Sequence, residues 1–146
     1  MSGNNQIHYQ KLESMYLSAH CNEYYQPKIT IREASAVITL PVHKKLFHAA
    51  GAVHGSAYFK ALDDAAYFSA NSIVPDVFVL TANFNLYLMR PVSQGILKAV
   101  GKVAHTSKNQ IIAEAELFDY KSRLVAIGSG TYVRSNIHLS EEIGYK

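Results

Sequence analysis

The fold is decided by one segment, 51-GAVHGSAYFKALDDAAYFSANSI-73. From Gly55 to Ile73 it is rich in alanine and has no proline and no further glycine, which favours a helix. Its middle is apolar on almost every side, and a helix of that composition is usually buried. Pro75 stops it. The segment therefore predicts a central, buried helix that begins near His54.

Extended segments surround this helix in the sequence. One precedes it at 28–40, and four follow at 77–90, 96–105, 110–120 and 123–133. The 110–120 segment alternates apolar residues with Glu114 and Glu116, and the 123–133 segment has Val125, Ile127, Thr131 and Val133 on one face. Short connections predict antiparallel neighbours among the last strands. We expect an α+β fold in which a curved antiparallel sheet wraps around the long central α-helix.

A length of 146 residues suits one domain. We expect this domain at 28–135, after an N-terminal segment, 1–27, with a short helix over 9–24, and before a C-terminal tail, 136–146. The connection at 41–53 is expected to be irregular.

Composition excludes several classes of function. The net charge is only +3 and the basic residues are scattered, which argues against a nucleic-acid surface. Cys21 is the single cysteine, so no internal disulfide forms and a reducing, cytoplasmic compartment is favoured. The first residues do not resemble a signal peptide, and the 77–89 run is too short and polar to span a bilayer, so no membrane partner is expected. The histidines show no metal-ligand spacing, and no metal or other cofactor is predicted.

Two aspartates, Asp63 and Asp64, interrupt the apolar middle of the helix. Adjacent helical positions point about 100° apart, so the two carboxylates face different surroundings. A buried carboxylate raises its own pKa, which suits a general base or acid. The alternative is a structural role, in which an aspartate caps a loop or lies at an interface.

The start of the helix is a second candidate for chemistry. Free backbone N–H groups and the positive end of the helix dipole can hold a developing oxyanion, and Gly55 lets a ligand approach closely. The alternative is an ordinary helix start with His54 or Ser56 near the cap. Gly55 lies eight residues before Asp63, or about 12 Å along a helix at ~1.5 Å per residue. One carbonyl cannot touch both within one chain, so joint action requires two chains related by a two-fold axis.

The sequence resembles a known family at this point. His54-Gly55-Ser56, then Ala57 to Leu62 and Asp63, is similar to the His-Gly-Gly…Asp helix of hotdog-fold thioesterases, and nearest to the phenylacetate-degradation (PaaI-like) type. The segment 80-LTANFNLYLMRP-91 resembles the strand that follows in that family and typically ends in Arg-Pro. The resemblance extends over 28–134.

The resemblance implies a hotdog fold and acyl-CoA thioester hydrolysis, with CoA as part of the substrate. Asp63 would act as general base or nucleophile, the Gly55 N–H would polarise the thioester carbonyl, and Thr81 would orient the attacking water. CoA would lie along the surface of a homodimer, and pairing of dimers into a tetramer stays open. The expected substrate-binding residues are His54, Ser56, Tyr58, Phe59 and Arg90, with Tyr58 and Phe59 lining an acyl pocket and Arg90 near the phosphates.

The chain departs from the family pattern at two positions. Ser56 replaces the second glycine, and His48 stands where the family often has an asparagine that positions substrate or water. A histidine there can donate the same hydrogen bond or add acid–base character, so His48 is expected to assist catalysis. Two other functions remain open: a non-catalytic acyl-CoA binding or sensing protein, and an enoyl-thioester hydratase that uses His48 or His54.

Overall fold

The computed structural model describes residues 3–146. The helices are α1 (Gly3–Ser18), α2 (Asn22–Tyr25) and α3 (Gly55–Asn71). The strands are β1 (Lys28–Arg32), β2 (Ser35–Pro41), β3 (Val77–Leu88), β4 (Ile96–Thr106), β5 (Ile111–Phe118) and β6 (Leu124–His138). Short 3-10 turns occupy Lys44–Leu46 and Glu141–Ile143. None of the helices in this range has the length and apolar character needed to cross a membrane.

All six strands form one antiparallel sheet in the order β1-β2-β4-β5-β6-β3, and α3 contacts every strand. The predicted α+β architecture, a sheet around a central helix, is confirmed. Strand β3 lies at one edge, where it pairs only with β6. The expected antiparallel neighbours are found for β4, β5 and β6, whereas β3 does not pair with β4, the strand that follows it in sequence.

Small residues bring α3 onto the sheet. Ala61, Ala65 and Ala66 are completely buried. Opposite them, a Cβ atom on Gly101 of β4 would lie 2.1 Å from the carbonyl oxygen of Ala65. Helix and strand therefore touch backbone to backbone, and only glycine fits at this position. Burial of the alanine-rich face stabilises the helix in the position from which it presents Asp63.

The prediction of a single strand over 28–40 is wrong, because this segment forms a hairpin of β1 and β2. Ala34 adopts a left-handed conformation with φ of 56° at the turn. Glycine or asparagine usually marks such a turn, and neither is present here. The apolar pattern over 28–40 therefore predicts one uninterrupted strand. Tertiary contacts hold the turn instead: the Ala34 N–H donates to Ser72 Oγ at 2.8 Å, and its carbonyl accepts from the Val103 N–H at 2.9 Å.

The ends of the chain are longer and more ordered in structure than the pattern indicates. The helix expected over 9–24 is two helices, of which α1 starts at Gly3 and buries Tyr9, Leu12, Met15 and Tyr16 in the common core. Strand β6 runs to His138, beyond the expected domain boundary at 135, and Ile143 and Tyr145 of the following segment pack against the core. Both ends therefore contribute to the surroundings of α3.

Candidate active site

The two adjacent aspartates of α3 have different partners, as their helical positions predict. Asp64 accepts a 2.7 Å hydrogen bond from the Tyr16 hydroxyl of α1 and forms an ion pair with Lys60, one helical turn earlier. The Lys60 ammonium also lies 5.0 Å from the centre of the Tyr16 ring. Asp64 therefore links α3 to α1, which is a structural role.

Asp63 faces the edge strand and the last strand. Its Oδ1 accepts a 2.9 Å hydrogen bond from the Tyr132 hydroxyl of β6 and a 3.2 Å hydrogen bond from the Thr81 hydroxyl of β3. Among residues 3–146, Oδ2 receives only a longer contact of 3.5 Å, also from Thr81. One oxygen of the carboxylate is thus held by two donors, while the other is left available to a reactant.

Burial raises the pKa of the Asp63 carboxyl above its ordinary value, and the neighbouring charge of Asp64 raises it further. The hydrogen bonds from Tyr132 and Thr81 and the charge of Lys60 oppose this shift without cancelling it. Burial also raises the pKa of Tyr132, so its hydroxyl stays protonated and can donate. A carboxylate that is more basic than usual, with one free oxygen, suits proton abstraction.

At the start of α3, the Gly55 N–H group has no acceptor among residues 3–146. His54 caps the helix: its Nδ1 accepts from the Ser56 N–H at 3.0 Å, and its carbonyl accepts from the Ala57 N–H at 3.0 Å. Within the described part of the chain, no acceptor lies in hydrogen-bond range of the Gly55 N–H. The first N–H groups of a helix carry its positive dipole end, so Gly55 presents a donor suited to a negatively charged oxygen.

Helix α3 runs antiparallel to β3, and contacts along the pair fix the positions of both candidate groups. A Cβ on Gly55 would lie 2.9 Å from Leu88, the Phe59 and Phe84 ring centres are 5.4 Å apart, and Thr81 bonds Asp63. Gly55 and Asp63 thus lie beside different ends of β3. The structure brings Thr81 to Asp63 within one chain but does not bring Gly55 to it.

His48 lies in an exposed loop, and its hydrogen bonds in the described chain stay within that loop. Its Nδ1 accepts from the Ala50 N–H at 3.1 Å, and its backbone N–H donates to the Ala52 carbonyl at 2.9 Å. Among residues 3–146, neither His48 nor His54 is a hydrogen-bond partner of Asp63. A single chain therefore gives Asp63 hydroxyl partners rather than imidazole partners.

The other predicted binding residues lie around the start of α3. Ser56 is exposed beside His54, and Phe59 is 39% exposed and packs edge-on against Phe84. Tyr58 is 3% exposed, and its hydroxyl donates to the Arg90 carbonyl at 2.7 Å. This bond ties α3 to the segment after β3, and the Arg90 side chain stays exposed.

Tyr132 is the site residue that sequence reasoning missed. It is completely buried, on the face of β6 opposite to Thr131 and Val133. A buried tyrosine usually belongs to the core, and its contact with Asp63 joins positions 69 residues apart. No local pattern signals such a pairing.

A cleft of about 720 Å³ opens beside Asp63. Thr81, Tyr67, Phe68 and Phe78 line it from α3 and β3, and the end of α1 together with the segment after β6 lines its other side. The Asp63 carboxylate thus borders a cleft with aromatic and aliphatic side chains in its wall, to which Lys60, Asp64, Glu141, Glu142 and Lys146 also contribute. Among the described residues, no group of three or more histidine, cysteine, aspartate or glutamate side chains is arranged to hold a metal ion.

Comparison with known proteins identifies the family of the chain. The family model described as "Thioesterase superfamily" matches residues 50–126, more than half of the chain, including all of α3 and β3. A protein of Thermoplasma volcanium named "Putative esterase" is 26% identical over 102 residues, which cover 70% of this chain and 77% of that protein.

Solved structures show the same fold. The PaaI protein from the phenylacetic acid degradation operon of E. coli superposes with a TM-score of 0.85 at 21% identity, covering 94% of this chain and all of that chain. A thioesterase of Haemophilus influenzae superposes with a TM-score of 0.77 at 16% identity, covering 85% and 88% of the two chains. The resemblance inferred from the helix motif is confirmed: this chain belongs to the thioesterase superfamily and has the hotdog fold.

Proposed function

We propose that this protein is an acyl-CoA thioesterase that hydrolyses its substrate to a free acid and CoA. The observation that carries the proposal is the Asp63 carboxylate, which has a raised pKa and borders a cleft. Tyr132 and Thr81 hold one of its oxygens, and within residues 3–146 the other oxygen has only the 3.5 Å contact from Thr81. Superfamily membership supports thioester hydrolysis in general. The acyl-CoA substrate and the roles below are part of the proposal.

The proposed active unit is a homodimer formed through β3. This strand is a sheet edge, so its outward N–H and C=O groups have no strand beside them within the described chain. Large apolar side chains are exposed along it, at Leu80, Tyr87 and Leu88. Two copies of β3 related by a two-fold axis pair antiparallel. A register that sets Thr81 opposite Leu88 of the second copy brings the Gly55 N–H of one chain to Asp63 of the other.

In the proposed mechanism, Oδ2 of Asp63 removes a proton from water as the water oxygen attacks the thioester carbonyl. The carbonyl oxygen becomes an oxyanion, which accepts a hydrogen bond from the Gly55 N–H of the second copy. Collapse of this intermediate breaks the carbon–sulfur bond, and the proton on Asp63 passes to the departing thiolate. Direct attack by Asp63 on the carbonyl, followed by hydrolysis of the acyl-enzyme anhydride, uses the same geometry.

Hydrolysis of a panel of acyl-CoA thioesters, read together with the mass of the protein in solution, tests the proposal. We expect turnover of at least one acyl-CoA and a mass of two chains or a multiple of two. Wild-type protein that hydrolyses no member of a panel of aliphatic and aromatic acyl-CoA thioesters would contradict it.

A binding or sensing protein is the second candidate, and the position of His48 is the observation that favours it. Its ring nitrogen is engaged by its own loop, so within one chain it supplies nothing to Asp63. Tight binding of acyl-CoA without release of free thiol would support this candidate. The hydratase alternative needs a histidine at Asp63; no histidine of the described chain is hydrogen-bonded to Asp63, whereas His54 of the second copy, next to Gly55, is the histidine that the proposed dimer brings nearest.

A further inference from the structure

The segment after β6, Ser140–Lys146, folds back against α1 and is called the C-terminal turn below. The Gly144 and Tyr145 N–H groups donate to Glu141 and Ser140 carbonyls at 3.0 and 3.1 Å, which closes the turn. Gly144 has φ of 89°, and a Cβ there would lie 2.4 Å from Ser18 Oγ and 3.3 Å from the Met15 Cα. The backbone of the turn therefore lies directly on the end of α1, and only glycine permits this approach.

A chain of hydrogen bonds through the buried His8 ring holds the turn in place. The Tyr145 hydroxyl lies 2.7 Å from Nδ1 of His8, and Nε2 of His8 lies 3.0 Å from the Asn71 carbonyl oxygen. A carbonyl can only accept, so Nε2 carries a proton and, in the neutral ring, Nδ1 accepts from Tyr145. His8 is only 7% exposed, and burial lowers its pKa, which favours this neutral form. Three parts of the chain, α1, the end of α3 and the C-terminal turn, are thus joined at one point.

The C-terminal turn borders the cleft that contains Asp63. Ile143 and Gly144 line it together with Met15, Phe68, Phe78 and Leu80. The fastening point at Asn71 is eight residues beyond Asp63, or about 12 Å along α3 at ~1.5 Å per residue. Gly55 lies the same distance in the opposite direction. From the carboxylate, the cleft therefore extends away from the helix start and meets the C-terminal turn.

We infer that this cleft, which neither Tyr58 nor Phe59 lines, is the acyl pocket and that the C-terminal turn is its end wall, which limits the length of the acyl group. This inference rests on the proposed function. A thioester carbonyl at Asp63 sends its acyl group along the side of the cleft formed by Phe68, Phe78 and Ile143, while the charged CoA moiety stays in solvent. Accepted acyl groups are then unbranched or compact apolar groups that end before Ile143. Longer groups collide with the turn, which the hydrogen bonds of His8 and Tyr145 hold in place.

The test compares kcat/KM for straight-chain acyl-CoA thioesters from acetyl to palmitoyl in wild-type protein and in a pair of variants that act in opposite directions. Ile143→Ala enlarges the end of the pocket and is expected to move the optimum to longer chains, with a gain of about tenfold for the first chain beyond the wild-type limit. Ile143→Phe fills it and is expected to move the optimum to shorter chains.

Two further variants test whether the hydrogen bond between Tyr145 and His8 holds the C-terminal turn in its position at the end of the pocket. Tyr145→Phe removes the hydrogen bond to His8 and is expected to broaden the length profile towards long chains, as is deletion of 140–146. Tyr120→Phe, which removes an exposed tyrosyl hydroxyl outside the cleft lining, is the matched control and should keep the wild-type profile. Thermal unfolding of each variant checks that it is folded. An unchanged profile in folded Ile143→Ala and Ile143→Phe would overturn the inference.

The same variants distinguish failure of the inference from failure of the proposed function. Binding of non-hydrolysable acyl-CoA thioethers, measured by calorimetry, gives a length profile that does not depend on turnover. If no thioester is hydrolysed but the length limit for binding changes in the residue 143 variants, the proposed thioesterase activity is rejected and the role of the C-terminal turn as end wall is retained. If thioesters are hydrolysed but the length limit is the same in wild type and in the residue 143 variants, the role of the C-terminal turn as end wall is rejected and the thioesterase activity is retained.

Discussion

The Tyr132 hydroxyl of β6 donates a 2.9 Å hydrogen bond to Oδ1 of Asp63 on α3. The tyrosine is completely buried and fixed by its strand, so it holds the carboxylate at a constant position relative to the sheet. Thr81 adds a second donor to the same oxygen. The orientation of the Asp63 carboxylate is therefore set by two strands, although the residue itself lies on a helix.

Replacement of Tyr132 with Phe is expected to lower kcat/KM about tenfold, since a hydrogen bond to a charged group contributes roughly 1.5–3 kcal/mol. Loss of this donor destabilises the Asp63 carboxylate and raises the pKa of Asp63 further, so the acidic limb of the kcat/KM profile should move to higher pH. Tyr58→Phe is the control, because it also removes a buried hydroxyl but one that bonds the Arg90 carbonyl. A pH profile that moves equally in both variants would reject this role for Tyr132.

Replacement of Asp63 with Asn is expected to reduce kcat at least about 100-fold, because the amide cannot remove a proton from water or attack the carbonyl. Asp64→Asn changes the adjacent carboxylate, which pairs with Lys60 and Tyr16, and should retain most of the turnover. Steady-state kinetics on both variants checks the assignment. The opposite ranking would show that Asp64 is the reactive group.

The same Asp63→Asn substitution is expected to stabilise the folded protein at neutral pH. The folded pKa of Asp63 lies above its unfolded value, so the folded state binds more protons, and the free energy of unfolding falls as pH rises from about the unfolded value of 3.8 to the folded pKa. The amide does not titrate and avoids this loss. Urea unfolding of both proteins across pH should show a difference that is smallest in acid and grows to a plateau; a difference that is constant with pH would contradict the raised pKa.

Replacement of Gly55 with Pro tests the backbone donor. Proline is tolerated at the first position of a helix and removes only the N–H group, which lacks an acceptor in the described chain. Loss of one oxyanion donor typically costs about 100- to 1000-fold in kcat. Gly55→Ala is the control, since it adds a comparable contact with the flexible end of Leu88 but keeps the N–H. Equal turnover in the two variants would exclude the Gly55 N–H from the reaction.

Mixing the two inactive variants tests whether the site is shared between chains. In a heterodimer of Asp63→Asn and Gly55→Pro chains, one site combines the intact Asp63 of one chain with the intact Gly55 of the other. Random exchange of chains after denaturation and refolding should restore about a quarter of the wild-type activity, because half of the dimers are mixed and each has one intact site of two. Each variant refolded alone should stay inactive. If the mixture also stays inactive while the dimer mass is normal, then Asp63 of one chain and Gly55 of the other do not act together across the interface.

Much of the fold follows from local patterns in the sequence. The alanine-rich, apolar segment from Gly55 specifies a buried helix, and the alternation over 110–120 specifies a strand whose Ile111, Ala113 and Leu117 are completely buried. These predictions hold because the helical and extended backbones have fixed periods that a run of residues must match. The hairpin at Ala34 cannot be predicted from a local period, because contacts with Ser72 and Val103 stabilise its turn.

The candidate site, like the fold, follows only in part from the sequence. The sequence by itself determined that a glycine begins the central helix and that a carboxylate lies two turns later, which makes a thioesterase helix recognisable. Only the tertiary structure decided that Tyr132 joins Thr81 at Asp63, that Asp64 pairs instead with Lys60 and Tyr16, and that the C-terminal turn borders the same cleft. The physical reason is that these contacts join residues far apart in the chain, and their distances depend on strand order and register rather than on any local period.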